Sequence, residues 1–459
     1  MLAQQPVVEV TRKQRGAFPT PPDLVERVVD ATLPDVRPGQ RVTVLDPACG
    51  DGRFLVAVAA RLAAAGAVAV VTGVDIDAAA VRACRRAVAG APGVVTARIE
   101  HADALDRDWG AERFDVVIGN PPFLSQLATA TTRGGASRFG GGPYADAAAE
   151  FLALAVRLAR PDGGRVGLVL PKSILGSRDA ASVRADVDRR AALVWSWWSP
   201  RRVFDAQVHV CALGFELGDP AASALDRQQP WSLVVADALG VPPVPALATV
   251  GTVGDRARLS ADFRAQYYGL VPAVDDHATG PPFVTSGLID PARCRWGERA
   301  VRFAGRRFAR PRVERSRLDP AMRRWADRLL VPKVLVANQT RVIEAVADAA
   351  GSWVPGVPVI TARPATPAGA WPLAAVLTSP VASAWAWHRA AGTGLSARTL
   401  RLGPRWLAEL PWPAGSLRLA VEALREGDVV ACGAAVGEAF GAEGSDALQR
   451  WWCAQLPSG

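Results

Sequence analysis

The sequence predicts an α/β fold for the first half of the chain, with a parallel sheet and helices on both faces, followed by an irregular α+β domain. Strand-like and helix-like segments alternate over residues 1–215. The strand-like segments are nearly continuous runs of Val, Ile and Leu, which is typical of strands buried on both faces. Pro and Gly then cluster at 219–245, and no βα alternation follows them. We therefore predict one domain over residues 1–240 and a second over 241–459.

The elements of the first domain can be placed one by one. Apolar runs predict strands that begin at Arg41, Ala67, Ala97, Phe114, Gly164 and His209. Apolar residues three and four apart predict helices that begin at Pro21, Phe54, Ala78, Tyr144 and Ser177. The glycine-rich stretch 129–145 is too polar to pack, so we expect a mobile loop there. We expect Trp195, Trp197 and Trp198 to make core contacts.

The composition excludes several classes of protein. Hydrophobic residues make up 50% of the 459 residues, which is enough for real cores and excludes wholesale disorder. The six cysteines show no ligand or disulfide spacing, which argues against a zinc site and against a disulfide framework. The N-terminal segment lacks a signal-peptide pattern and no apolar run is long enough to span a bilayer, so we expect a cytoplasmic protein.

Positive charge is concentrated in one segment. The whole chain carries a net charge of +9, and the segment 291–331 contains 13 arginines against four acidic residues. We call this segment the arginine belt. A polyanionic partner such as nucleic acid is one interpretation of it, and a solvated basic face is the other. Composition alone leaves both open.

Polar residues follow three successive strands of the first domain. Asp46 ends the first strand, and a turn containing Gly50 and the acidic Asp51 comes next. Asp75 ends the second strand and Asp103 follows the third. Glycines let a ligand approach the backbone, Asp75 is placed to accept ribose hydroxyls, and Asp103 could accept an adenine amino group. The set predicts an adenosine-shaped crevice, although each aspartate alone could be a helix N-cap. An acid inside the turn would repel pyrophosphate but suits a cationic sulfonium cofactor.

The fourth strand ends in Asn120, Pro121, Pro122 and Phe123. The prolines fix the backbone, so the Asn120 side-chain oxygen and the Pro121 carbonyl can each accept one N–H of a planar exocyclic amine. Such bonds free the nitrogen lone pair for attack on a methyl group, and Phe123 offers a face for base stacking. The alternative is a proline-rich turn that ends a strand, with Phe123 in the core.

These motifs resemble the gamma class of S-adenosylmethionine-dependent N6-adenine DNA methyltransferases, of the type II restriction–modification kind. The resemblance rests on DPACGDGRFL, VDID, Asp103 and NPPF in this order, with GAFPTPP upstream at 16–22. It implies a Rossmann-like class I methyltransferase sheet and S-adenosyl-L-methionine as cofactor. By resemblance the cofactor is lined by Thr20, Asp46, Ala48, Cys49, Gly50, Asp75, Ile76, Asp103 and Pro121. The catalytic residues implied are Asn120, Pro121, Phe123, which is a tyrosine in many relatives, and Phe204.

The resemblance extends more loosely to the second half of the chain. Segments that begin at Val284, Leu329, Leu373 and Ala408 look like parts of a target recognition domain. The implied partner is duplex DNA, with an extruded adenine as the methyl acceptor and phosphates on the arginine belt. Arg133 and Arg138 could meet phosphate if the glycine-rich loop closes over that adenine. The polar cluster 338–341 could read bases or form a tight turn between two strands. A separately encoded restriction endonuclease is a compatible partner, and we expect a monomer that does not bind membranes.

Three other functions stay open at this point. Methylation of cytosine N4 uses the same amine chemistry. RNA or a protein glutamine side chain could be the acceptor, since NPPF-like motifs occur in enzymes of those kinds. The chain could also be a catalytically silent DNA specificity module that keeps the cofactor fold.

Overall fold

The structure, a computed structural model, describes residues 19–123, 139–142, 146–201, 203–204, 209–218, 229–262, 264–394, 396, 398–442 and 446–457. Two compact units divide the chain, Met1–Trp231 and Ser232–Gly459. The sequence places this division at 240/241. Within the described residues, no helix is both long enough and apolar enough to cross a membrane.

Seven strands of the N-terminal unit form one sheet in the order β3-β2-β1-β4-β5-β7-β6. Strands β1 to β5 are mutually parallel where they pair, and β7 runs antiparallel to both β5 and β6. The strands are Arg41–Asp46 (β1), Val68–Asp75 (β2), Val94–His101 (β3), Val116–Gly119 (β4), Arg165–Pro171 (β5), Ala191–Trp198 (β6) and Val210–Leu217 (β7). This sheet confirms the predicted Rossmann-like α/β fold.

Strand β6 is the element that the sequence does not predict. It lies at the edge of the sheet, and its residues from Val194 to Trp198 are only half-buried. An edge strand need not be apolar on both faces, so the Trp-Ser-Trp-Trp run lacks the pattern that marks the central strands. The tryptophans therefore belong to a strand and are not fully enclosed by a core.

Helices cover the two faces of the sheet. They are Pro22–Thr32 (α1), Arg53–Ala64 (α2), Ala78–Ala89 (α3), Ala147–Leu158 (α4) and Ala181–Arg190 (α5). Helices α1, α2 and α3 contact one another in sequence, and α4 contacts α5. These two groups account for the helices on both faces that the sequence predicts. The stretch 129–145, with Arg133 and Arg138, lies outside the described residues apart from 139–142.

The strand order places a crevice above β1 and β4. The chain passes from β1 outward to β2 and β3, and then returns to the other side of β1 for β4 and β5. In open α/β sheets, ligands bind at the carboxyl ends of the strands where the winding direction reverses. Here that point lies between Asp46, at the end of β1, and Asn120, directly after β4. The fold therefore brings the two sequence motifs together.

The C-terminal unit combines helices with small sheets. Its largest described sheet joins four strands in the order Ala345–Asp348, Lys333–Val336, Ile360–Pro364 and Ala257–Ala261. Its helices are Leu233–Ala238 (α6), Arg264–Leu270 (α7), Pro320–Leu329 (α8), Ala370–Thr378 (α9), Pro380–Ala390 (α10), Pro404–Ala408 (α11), Arg418–Glu426 (α12), Val429–Ala439 (α13) and Asp446–Cys453 (α14). Its strands are Thr249–Thr252 (β8), Ala257–Ala261 (β9), Val274–Asp275 (β10), Phe283–Val284 (β11), Ile289–Asp290 (β12), Arg293–Cys294 (β13), Val301–Phe303 (β14), Arg306–Phe308 (β15), Arg312–Val313 (β16), Lys333–Val336 (β17), Gln339–Thr340 (β18), Ala345–Asp348 (β19), Val354–Pro355 (β20), Ile360–Pro364 (β21), Leu400–Arg401 (β22) and Pro411–Pro413 (β23).

The polar cluster 338–341 is not a tight turn between two strands. Gln339 and Thr340 form β18 and pair with Arg401 and Leu400 of β22. The Thr340 side chain is buried, and its hydroxyl donates to the Val342 carbonyl. Thr340 is therefore committed to the fold and is not available to contact a base.

Candidate active site

Backbone hydrogen bonds tie the glycine turn after β1 to the end of β2. Gly50 and Gly52 have φ of 53° and 86°, a region that side chains with a Cβ rarely adopt. Cys49 N donates to the Val74 carbonyl over 2.9 Å, and Gly50 N donates to Asp75 Oδ2 over 2.9 Å. The turn is therefore held against the second strand by main-chain groups.

Both carboxylate oxygens of Asp75 are hydrogen-bonded to the backbone. Oδ2 accepts from Gly50 N and Oδ1 accepts from Asp77 N over 2.8 Å. Each oxygen has a further lone pair, so Asp75 can also accept from a ligand hydroxyl. The neighbouring Ile76 is 61% exposed although it is a large apolar residue. A carboxylate fixed beside an exposed apolar side chain suits a ribose with an attached aromatic ring.

The end of β3 reaches the same edge. Ala102 N donates to the Asp75 carbonyl over 3.1 Å, and the His101 ring nitrogen lies 3.1 Å from the Ile76 carbonyl oxygen. Asp103 accepts from Leu105 N over 2.9 Å, which forms a local turn at the strand end. The structure therefore brings Asp103 to the end of β3, beside the end of β2.

Asp46 is a buried carboxyl group at the tip of β1, with 1% of its surface exposed. Burial, with the nearby charges of Asp75 and Asp51, raises the pKa of Asp46 to about 8, although a hydrogen bond from Ala48 N opposes the shift. Gly119 makes this position possible, because a Cβ there would lie 2.5 Å from Asp46 Oδ1. The carboxylates of Asp51 and Asp75, on either side of the turn, give the crevice a negative potential in neutral solution, which suits a cationic ligand.

Asn120 is held by a residue far away in the sequence. Its side-chain Nδ2 donates to the Thr20 hydroxyl over 3.0 Å, and Thr20 is 4% exposed. The Thr20 carbonyl accepts from Arg53 Nη1 over 2.9 Å, and Arg53 also pairs with Asp51 over 2.8 Å. The resemblance implies a cofactor contact for Thr20, and the structure adds a direct bond to Asn120. With the amide nitrogen engaged, the amide oxygen is the end suited to accept a substrate N–H.

Phe123 and Phe204 lie in contact with each other. Both side chains are buried, the ring centroids are 6.0 Å apart and the ring planes meet at 59°. A base stacked between two parallel rings needs about 7 Å between them, twice the ordinary contact distance. One ring must therefore turn before a base could enter between the two. The structure brings together the two aromatic residues that the resemblance implies, but their rings leave no room for a base between them.

Lys172 is a candidate site residue that the sequence reasoning missed. It follows β5 directly, is 1% exposed, and its Nζ has no hydrogen-bond partner among the described residues. Nζ lies 5.6 Å from the centroid of the Trp198 ring. Burial lowers the pKa of Lys172 to about 8. Its position at a strand end was visible in the sequence, but its burial and the lack of an ion pair with any described residue were not.

Replacing Lys172 with Met is expected to stabilise the protein at pH 7, by about 3 kcal/mol. The folded protein holds this proton less tightly than the unfolded chain, because the pKa falls to about 8 from an ordinary 10.5. The buried charge therefore destabilises the fold below pH 8, and the effect disappears as pH rises toward 10.5. Thermal unfolding of wild-type and Lys172→Met protein at pH 7 and pH 9.5 measures both parts.

Lys333 provides the matched control. It is fully buried but forms an ion pair with Asp348, so Lys333→Met leaves a buried carboxylate without its cation. That variant is expected to lose about 3–5 kcal/mol, the opposite sign. Loss of stability in Lys172→Met comparable to that in Lys333→Met would contradict an uncompensated charge at Lys172.

Residues 5–191 match the model of a family described as N-6 DNA methylase. Among curated proteins, none matches the chain. Similar solved structures include a protein from Listeria monocytogenes described as a class I S-adenosylmethionine-dependent methyltransferase, with 19% identity and a TM-score of 0.35 over 44% of this chain and 61% of that one. A type I restriction-modification methyltransferase subunit from Streptococcus thermophilus has 21% identity and a TM-score of 0.36, over 44% of this chain and 45% of that one. The type IIG restriction endonuclease BpuSI has 12% identity and a TM-score of 0.39, over 98% of this chain and 68% of that one.

The chain therefore spans less than two thirds of the length of the first two structures. The family match ends at residue 191, so it includes Asp46, Asp75 and Asn120 but not Phe204. It supports S-adenosyl-L-methionine as the cofactor. The N-terminal unit is thus an α/β domain with a polar crevice at its strand ends, and it contains the residues that match the N-6 DNA methylase family model.

Proposed function

We propose that the protein transfers a methyl group from S-adenosyl-L-methionine to N6 of an adenine that has been extruded from duplex DNA. The observation that carries this proposal is the position of Asn120. It lies beside β1 at the reversal point of the sheet, and its amide nitrogen is bonded to Thr20 over 3.0 Å. Its oxygen and the Pro121 carbonyl are then the acceptors for an amine.

The cofactor residues fit a cationic adenosine derivative. Asp75 would accept the ribose hydroxyls, Ile76 would pack against the adenine ring, and Asp103 would accept its amino group. The acids at the glycine turn would attract the positive end of the molecule. When bound, the cofactor supplies an electrophilic methyl group on a positively charged sulfur.

The chemistry left to the protein is the preparation of the nucleophile. An adenine amino group has its lone pair delocalised into the ring and attacks poorly. Asn120 and Pro121 would each accept one of its N–H bonds and draw the nitrogen toward tetrahedral geometry, which localises the lone pair. Phe123 and Phe204 would hold the extruded base by stacking, worth about 1–3 kcal/mol per base. No strong general base is needed, because the nitrogen can lose its proton after the methyl group has transferred.

We further propose the gamma-class arrangement, in which the cofactor motifs precede Asn120 and the C-terminal unit recognises the DNA target. The arginine belt in that unit supports a polyanionic partner. A separately encoded restriction endonuclease and a monomeric state stay predictions.

Methyl transfer from radiolabelled cofactor tests the acceptor. Genomic DNA without adenine methylation, total RNA and a protein extract are each incubated with wild-type and with Asn120→Ala protein. We expect the label in duplex DNA alone. Digestion of this DNA to nucleosides should release the label as N6-methyldeoxyadenosine. Label in N4-methylcytosine, RNA or protein would contradict adenine in DNA as the substrate and would identify the acceptor instead. Cofactor binding without any transfer would support a silent specificity module instead.

A further inference from the structure

Some arginines of the arginine belt form ion pairs with acidic residues inside the C-terminal unit. Arg293 pairs with Glu298 over 2.8 Å, and Arg295 pairs with Asp290 over 2.6 Å. Arg299 pairs with the same Asp290 over 3.0 Å, and Arg315 pairs with Asp327. These arginines hold loops together and offer less charge to a partner. The belt is therefore not one uniform basic surface.

Two arginines of the belt lie directly opposite each other on a hairpin. Strands β14 and β15 pair over Val301–Phe308, and Arg302 is the cross-strand partner of Arg307. We call residues 301–308 the arginine hairpin. Ala304 and Gly305 form its two-residue turn with φ of 48° and 78°, as hairpin turns of this length favour.

The inner face of the arginine hairpin anchors it to the core. Val301, Phe303 and Phe308 are buried. The Phe303 ring contacts the rings of Tyr267 and Phe283, with centroids 5.0 Å and 4.9 Å away. The outward positions are consequently fixed by apolar packing and not by the arginines themselves.

The outer face of the arginine hairpin carries uncompensated charge. Like charges directly opposite each other on paired strands destabilise a sheet. Among the described residues, neither Arg302 nor Arg307 forms an ion pair, while the adjacent Arg306 lies 3.8 Å from Asp275. Arginines that are merely solvated need no rigid support, but Arg302 and Arg307 lie on a hairpin that apolar packing holds in place. An anionic ligand would offset the repulsion.

A recess borders the arginine hairpin. It is a cavity of about 470 Å³, and its lining includes Arg299, Arg302, Ser286 and Tyr267. Ser286 Oγ is buried and has no hydrogen-bond partner among the described residues. Arg299 is already paired with Asp290, so the groups of this recess that could bind phosphate oxygens are Arg302 and the Ser286 hydroxyl.

We propose that Arg302 and Arg307 bind the sugar-phosphate backbone of duplex DNA, and that the arginine hairpin is the phosphate-binding element of the belt. This inference rests on the proposed function, in which duplex DNA is the substrate. Phosphate contacts of this kind fix the position of a protein on DNA without reading sequence.

The test compares two double variants that remove the same charge. In one, Arg302→Gln is combined with Arg307→Gln; in the control, Arg293→Gln is combined with Arg315→Gln. Binding to a fluorescent duplex is measured from 50 to 300 mM salt. We expect the hairpin variant to bind at least about tenfold more weakly at low salt and to lower the slope of log K against log salt by about 2. The control should lower that slope by less than half as much.

Thermal unfolding separates a binding role from a structural one. The hairpin variant should unfold at the same temperature as wild type or higher, because the cross-strand repulsion is removed. An unchanged salt slope in the hairpin variant, with wild type binding DNA normally, would overturn the inference and leave the proposed function intact. So would weaker binding that appears only with a lower unfolding temperature. If wild-type protein does not bind duplex DNA or prefers RNA of equal length, the proposed function itself fails.

Discussion

Replacing Asn120 with Ala is expected to lower the rate of methyl transfer at least about 100-fold, with little change in cofactor affinity. The variant removes one of the two oxygen acceptors that would localise the amine lone pair. It also removes the bond to the Thr20 hydroxyl, which is a contact within the protein and not with the amine. The rate is measured in single-turnover assays with saturating DNA and cofactor, so that binding defects do not contribute.

Thr20→Val is the matched control for the lost internal bond. It removes the partner of the Asn120 amide nitrogen but keeps the Asn120 oxygen. We expect a loss of about tenfold, because the acceptor is less well oriented but still present. If Asn120→Ala loses no more activity than Thr20→Val, then Asn120 positions neighbouring groups and is not itself an acceptor. An Asn120→Ala protein that methylates at the wild-type rate contradicts the mechanism.

Replacing Asp75 with Ala is expected to weaken cofactor binding at least about 100-fold. The substitution removes the carboxylate that we propose accepts the ribose hydroxyls. It also leaves Gly50 N and Asp77 N without the carboxylate that holds the glycine turn. Hydrogen bonds to a charged group contribute about 1.5–3 kcal/mol each, so two lost ligand bonds suffice for this effect. Calorimetric titration with S-adenosylhomocysteine measures the affinity.

Asp35→Ala is the control with the same change of charge in the same unit. Asp35 is exposed and lies between α1 and β1, before the sheet begins, at the edge opposite to the strand ends. The affinity of the Asp35→Ala variant for S-adenosylhomocysteine should stay within about twofold of wild type, since an exposed charge far from the strand ends is screened by salt. Equal losses in both variants would mean that net charge, and not a bond to the ribose, sets the affinity.

The sequence predicts most of the polar residues that lie at the carboxyl ends of the strands. Asp46, Asp75, Asp103 and Asn120 each follow a run of Val, Ile and Leu, and parallel strands in such a sheet bring their carboxyl ends to one edge. Their assembly follows from local pattern and known sheet geometry. Roles for individual residues stay predictions until the variants are measured.

Contacts between distant residues could not be predicted in this way. The bond from Asn120 to Thr20 joins positions 100 residues apart, and no local pattern encodes it. Within the described part of the chain no acidic group pairs with Lys172, and only the packing of distant segments decides which groups surround it. The edge strand β6 lacks the two-sided apolar pattern of the central strands. For the arginine belt, composition predicts the total charge. The structure was needed to show which arginines form ion pairs and that Arg302 lies opposite Arg307 on paired strands.

The buried carboxyl of Asp46 links cofactor occupancy to acidity. With its pKa raised to about 8, Asp46 holds a proton in neutral solution, and a cation placed nearby favours the ionised form. Arrival of a sulfonium compound would therefore expel that proton, so acid would oppose loading and mild alkali would assist it. The residue that permits this is Gly119, because even a methyl group there would collide with the carboxyl oxygen. The absence of a side chain at Gly119 on the fourth strand would thus make cofactor binding sensitive to pH.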